Sequence, residues 1–145
     1  MFVSSRVHPG EVPASHIMHG ILEYLQRLED AQVIRLLDQF VFKIVPIINP
    51  DGVSRGHYRL DSLGQNLNRF YQEPDPLKQP TVYAIVQYIK YLHSEQRLKL
   101  YMDLHAHARK EGCFIYGNHS EDLIEKAQQM LYPKLISLNC RNFDF

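Results

Sequence analysis

"FVFKIVPIINP", residues 40–50, is apolar almost throughout and rich in β-branched and aromatic side chains. It lacks the polar/apolar alternation of a half-exposed strand. The run predicts a buried central strand with Pro46 near its end, the kind found in parallel sheets covered on both faces. Asn49-Pro50-Asp51-Gly52 closes it with turn chemistry. Residues 51–79 then show little periodicity and many Gly, Asn, Asp, Ser and Arg, which predicts a long loop. Loops of that length are uncommon in compact domains and usually functional.

Outward from this stretch, strand and helix patterns alternate. "FVSSRV" (2–7) reads as a strand. Pro13 suits a first helical turn, and Ile17, Ile21, Leu22, Leu25 and Leu28 recur at helical spacing, predicting a helix over 14–28. Val82, Ile85, Val86, Ile89 and Leu92 predict a second over 80–96. "LKLYMDLH" (98–105) and "CFIYGN" (113–118) read as strands. A third helix, 120–131, starts after Ser120, and Pro133 interrupts or restarts it. The order β-α-β-loop-α-β-β-α predicts an α/β fold: a mixed, mostly parallel sheet flanked by helices. Sites in such sheets form at the carboxyl ends of strands. His8, the Asn49–Gly52 turn and His105 each follow a predicted strand.

With 145 residues, the chain is one domain or part of one. Its 16 Lys and Arg balance 16 Asp and Glu, so no overall field points to nucleic acid or an anionic membrane. Cys113 and Cys140 form no CxxC spacing, which fits a reducing, cytosolic setting. The start abuts the candidate site and the end, "NCRNFDF", is apolar with no closing element, so both ends read as cut.

His8 and Glu11, three apart, can hold a metal ion together, and His105 is the natural third ligand, with Asp103 two residues before it to orient the ring. Two histidines and a glutamate leave the fourth position of a tetrahedral zinc open, the catalytic rather than structural arrangement. His107 shares the strand parity of His105 and could line the same pocket. His16, His19, His57, His93 and His119 read as surface or hydrogen-bonded histidines. Residues 53–71 carry Arg55, Arg59 and Arg69 against a single Asp, Asp61. Arginine's planar fork pairs with carboxylates bidentately, and Asn68 beside Arg69 offers an amide to the same anion.

In this order, H-x-x-E, N-P-D-G, N-R and a strand-end His resemble the zinc carboxypeptidases of the M14 type. HPGE (8–11), NPDGVSRGHYR (49–59), NLNR (66–69), DLHAHARKEGCFIYGN (103–118) and YPKLISLNCRNFDF (132–145) are similar to the cytosolic carboxypeptidases that remove glutamates from tubulin. The resemblance implies the N-terminal part of a catalytic domain, truncated at both ends, with one zinc held by His8, Glu11 and His105. It implies that Asn68 and Arg69 hold the substrate carboxylate and that Arg59 polarises the scissile carbonyl. The implied substrates are C-terminal or branch-point glutamates on polyglutamylated tubulin or other glutamate-rich tails. The implied location is cytoplasmic, with microtubule and nuclear association; the balanced charge and the lack of a long apolar run point to no nucleic-acid or membrane partner.

Asn66 stands where many zinc carboxypeptidases carry an Asp that orients the first zinc-binding His; its amide is a neutral, weaker acceptor. Ala106 replaces a more usual glycine. The family's general-base glutamate and N-terminal β-domain fall outside these residues, so the 145 residues alone are expected to be inactive. Two other readings share features: a zinc amidohydrolase of acylamino acids, with His-x-x-Glu and a later His, and a non-catalytic module binding acidic tails through Arg59 and Arg69.

Overall fold

The computed structural model describes all 145 residues, in two compact units, 1–106 and 107–145. The first is built on three strands, β1 (Phe2–Ser5), β2 (Lys43–Val45) and β3 (Tyr101–Leu104), in the order β2-β1-β3. Both pairings are parallel, with Val3 opposite Ile44 on one side and Met102 on the other. Parallel neighbours need long crossovers. Here β1 reaches β2 through α1 (Val12–Leu25) and α2 (Ala31–Gln39). The return to β3 runs through the short α3 (Pro50–Ser54), a 3-10 turn at Leu67–Arg69, and α4 (Pro80–Ser94).

Strand residues alternate faces, and β1 feeds two cores. Phe2 packs with Val7, Ile48, Leu67 and the Val82, Ile85 and Val86 stripe of α4. Val3 packs with Leu104 and with Ala14 and Met18 of α1. Ser4 and Ser5 are also fully buried, which is tolerable because both hydroxyls are bonded. Ser4 donates to Asp103, and Ser5 donates to the Pro46 carbonyl.

The structure corrects several expectations. The 40–50 run is not a buried central strand. Only Lys43–Val45 is strand, it lies at the sheet edge, and Val41 and Ile47 are exposed. The central strand is β1, and the two residues of the run that are fully buried, Ile48 and Asn49, follow β2. Helix α2 was not anticipated. Its start is a regular one, with the Asp30 carboxylate accepting the Gln32 N–H and Val33 buried beneath. The α/β fold with a mostly parallel sheet flanked by helices is as expected, and both pairings are parallel.

In the second unit, "CFIYGN" forms no strand. A single parallel bridge joins Cys113 to Phe143, with the Cys113 N–H donating to the Asn142 carbonyl at 2.8 Å. Helix α5 (Leu123–Asn139), capped by Asp122, runs through Pro133 rather than breaking there. The proline ring fixes φ near its helical value, so the helix continues with one backbone hydrogen bond fewer at that point.

Candidate metal centre

The carboxyl ends of the three parallel strands face the same way and gather the polar loops at one edge. The loop from β1 to α1 carries His8 and Glu11, and β3 delivers His105 at its last step. His8, Glu11 and His105 come together with donor atoms all within 4.8 Å of one another. His8 Nδ1 stands 2.7 Å from Glu11 Oε1, and His105 Nδ1 stands 3.0 Å from Oε2. The rings lie edge to face, 5.2 Å apart.

The outer nitrogen of each ring fixes its tautomer. Asn66 Oδ1 accepts the Asn68 N–H at 3.2 Å, so it faces His8 Nε2, 3.0 Å away, as an acceptor. His105 Nε2 lies 2.9 Å from the Asp103 carboxylate, which can only accept when ionised. Both Nε2 atoms therefore carry protons, and both Nδ1 lone pairs point at a carboxylate. Lone pair against lone pair is repulsive unless a cation lies between them. Either a proton or a metal ion meets that demand. Tetrahedral ligands at bonds of about 2.1 Å lie about 3.4 Å apart, so the trio fits a small divalent ion after its two close contacts open by about 0.4–0.7 Å.

The titration behaviour of the metal-free trio follows from the same contacts. Burial by itself would raise the Glu11 pKa, but hydrogen bonds from His105, His8 and the Ala106 N–H outweigh it and hold the carboxyl far below its usual range. Burial would lower that of His105, yet hydrogen bonds to Asp103 and Glu11 prevail and raise it to about 9. Without a metal, a proton takes the cation's place. Behind His105, Asp103 accepts from Ser4 at 2.7 Å. Burial, and then the Asp103 charge, push the phenols of Tyr71 and Tyr101 above their ordinary value, so both stay neutral.

The surrounding loops hold this geometry. Asn49, 2% exposed, caps α3 by accepting the Gly52 N–H and donates to the Leu60 carbonyl. The Gly10 N–H donates to the Tyr58 carbonyl at 2.7 Å. A Cβ at Gly52 would stand 2.5 Å from Pro9, and one at Gly10 would stand 2.6 Å from that Tyr58 carbonyl. The Asn-Pro-Asp-Gly segment is thus a capped turn of helix, its Asn49 and Gly52 buried and locked onto the His-Pro-Gly-Glu loop and its Pro50 and Asp51 exposed. Asp61, expected as one of the loop's charges, is buried and accepts the N–H groups of Leu63 and Gln65.

Arg59 reaches the site, with Nη1 3.6 Å from Glu11 Oε1. Asn68 and Arg69 lie on the 3-10 turn that Asn66 caps, and the Arg69 side chain is exposed. Arg55 ends α3 facing solvent, and His107 is outside the trio. His107 is exposed, and its Nδ1 accepts the N–H groups of Arg109 and Lys110. Sequence reasoning passed over the Ala106 N–H, which donates to Glu11 at 2.9 Å, and over Arg6. A backbone donor has no sequence signal; Arg6 has one, its place two residues before a ligand candidate.

The chain matches a family model described as zinc carboxypeptidase, peptidase M14, over residues 1–135. Cytosolic carboxypeptidase-like protein 5 of Mus musculus is 32% identical in an alignment covering 99% of this chain and 26% of that protein. Cytosolic carboxypeptidase 6 of Caenorhabditis elegans is 39% identical, over 94% of this chain and 31% of its own length. The chain thus spans about a quarter to a third of these curated relatives. Among solved structures, a putative carboxypeptidase A from Shewanella denitrificans superposes with a TM-score of 0.84 at 33% identity, and a metallo-carboxypeptidase from Burkholderia cenocepacia with 0.87 at 26%. Each match covers 99% of this chain and 38% of the other.

Proposed function

The chain belongs to the zinc carboxypeptidase family, and from that premise we propose that it carries the zinc-holding and carboxylate-recognising part of a carboxypeptidase acting on glutamate-rich protein tails, such as those of polyglutamylated tubulin. The observation that supports this most is the pair of imidazoles aimed by Asn66 and Asp103 so that both Nδ1 lone pairs converge on Glu11. His8, Glu11 and His105 would hold one zinc. When bound, zinc supplies Lewis acidity towards a peptide carbonyl and acidifies water.

The remaining roles belong to this chain's own cations. Arg59, whose Nη1 lies 3.6 Å from Glu11 Oε1, would face negative charge as it develops on the scissile carbonyl oxygen. Asn68 and Arg69 offer an amide and a planar fork to a free carboxylate, which an exopeptidase must recognise. The arginine excess in residues 53–71 suits an acidic tail. In a chain extended to carry the general-base glutamate, a terminal carboxylate is charged throughout the reaction, so Arg69→Ala is expected mainly to raise KM. Arg59 faces charge that develops, so Arg59→Ala is expected mainly to lower kcat, by about 10²–10³-fold.

Two measurements test the reading. Metal analysis should give one zinc per chain, weakened by orders of magnitude in His8→Ala, Glu11→Ala or His105→Ala and little changed in His107→Ala. Full occupancy in His105→Ala would reject the ligand set. Product analysis with a zinc-loaded chain extended to carry the family's general-base glutamate should show release of glutamate from peptides ending in glutamates and not from matched peptides ending in alanine or lysine, while the 145 residues alone should release none. Release without that preference rejects the glutamate assignment, and binding of acidic tails without release favours a non-catalytic module.

A further inference from the structure

The segment carrying two of the three candidate ligands is only six residues long, from the end of β1 at Ser5 to the start of α1 at Val12. It begins with an unfavourable residue. Arg6 has φ +57°, in the left-handed region that glycine enters freely and other residues rarely do. Glycine would satisfy this backbone better, so what arginine contributes lies in its side chain.

That side chain folds back over the loop. Nε and Nη2 both donate to the Pro9 carbonyl, at 3.0 and 2.6 Å, and Nη1 donates to Ser15 Oγ at 2.6 Å. The Arg6 carbonyl in turn accepts the Asn49 N–H at 3.1 Å. One planar group therefore ties the residue after His8 to the first turn of α1, and Glu11 lies between the two tie points. From the left-handed turn and the guanidinium clamp together, we propose that Arg6 is a positioning residue that sets the spacing between His8 and Glu11 and so tunes metal affinity. This rests on the ligand reading above.

The guanidinium never reaches the trio; it acts by removing freedom from the chain that bears two of its members. Partners that orient metal ligands typically change affinity by about 10–100-fold when removed. Lysine cannot substitute, because a single ammonium cannot hold two donors on Pro9 and a third on Ser15 in fixed geometry.

Three variants, Arg6→Gly, Arg6→Ala and Arg6→Lys, separate this role from mere folding support. Zinc affinity, measured by competition with a chromophoric chelator, is expected to fall about 10–100-fold in all three. The thermal midpoint should be higher for Arg6→Gly than for Arg6→Ala, since glycine relieves the backbone. The visible absorption of the cobalt-substituted Gly variant should differ from that of the unsubstituted protein, and added guanidinium should partly restore its zinc affinity. Unchanged zinc affinity and cobalt spectrum in Arg6→Gly, in a protein whose parent binds one zinc, would overturn the proposal alone. Affinity that merely tracks the thermal midpoint across the variants would also overturn it. A parent protein that binds no zinc would remove both this proposal and the ligand assignment.

Discussion

Asn66 accepts the Nε2 proton of His8 through a neutral amide, whereas Asp103 accepts that of His105 through a carboxylate. A carboxylate makes the ring it holds more basic and a better ligand. Asn66→Asp is therefore expected to tighten zinc binding, and Asn66→Ala to weaken it about 10–100-fold, both readable by chelator competition. Equal affinities in the two variants would show that the ring is aimed by packing alone. The same atoms set a pH dependence. In the metal-free protein His105 is raised from 6.5 to about 9, so its contribution to stability is complete below about 6.5 and lost as pH rises through about 9. Glu11 is depressed, so its contribution is present above about 4.5 and lost as pH falls through its lowered value. A metal must displace the proton on His105. Calorimetry in buffers of different ionisation enthalpy should detect about one proton released per zinc near pH 7, declining above pH 9.

At the scale of elements, a glycine before α1 and one within it should respond with opposite signs. Gly10, in the loop leading into α1, has its N–H on the Tyr58 carbonyl, and a Cβ there would stand 2.6 Å from that backbone oxygen. Backbone cannot step aside as a flexible side chain can. Gly10→Ala is expected to cost about 1–3 kcal/mol in chemical denaturation and to weaken zinc binding by displacing Glu11. Gly20 lies within α1 with nothing within 4 Å of a built Cβ, so Gly20→Ala should add about 0.5–1 kcal/mol. A stabilising Gly10→Ala would mean that the loop and Tyr58 are not locked together as described.

Across the whole molecule, apolar burial is unequal. Every buried hydrophobic residue lies between Phe2 and Leu104, and α5 buries none of its residues. Leu123, Ile124, Leu131 and Leu138 of α5 are each more than half exposed. Opening free energies follow buried apolar contact. Native-state hydrogen exchange should therefore give the α5 amides much lower protection than those of β1 and α4, and limited proteolysis should cut first within 107–145. Equal protection in both units would mean that residues 107–145 are stabilised by something other than their own packing. The first unit holds all three candidate ligands, so zinc should raise protection around β1 and β3 most.

Much of this was legible in the residues themselves. The periodicity over 80–96 and the Pro13 start located α4 and α1 because a helix repeats its buried face within a few residues. The meeting of His8, Glu11 and His105 was legible as a candidate ligand set, because metal ligation needs particular donors and strand ends deliver them to a known edge of a parallel sheet. Asp103 could be named as the ring partner of His105 from its place two residues before it, and Asn66 as that of His8 only from the family resemblance. The 40–50 run misled because continuous apolarity does not say which strand will lie beside which. Sheet order is a non-local choice, and it put Phe2–Ser5 in the middle and Lys43–Val45 at the edge. "CFIYGN" has strand composition but pairs through a single bridge, and a strand without a ladder is not a strand. The left-handed turn at Arg6 and its hold on Pro9 and Ser15, the docking of Gly52 against Pro9, and the Ala106 N–H on Glu11 were decided only by tertiary structure. Each depends on backbone atoms meeting across the fold. Sequence records which side chains are present; it does not record where a carbonyl or an N–H comes to rest.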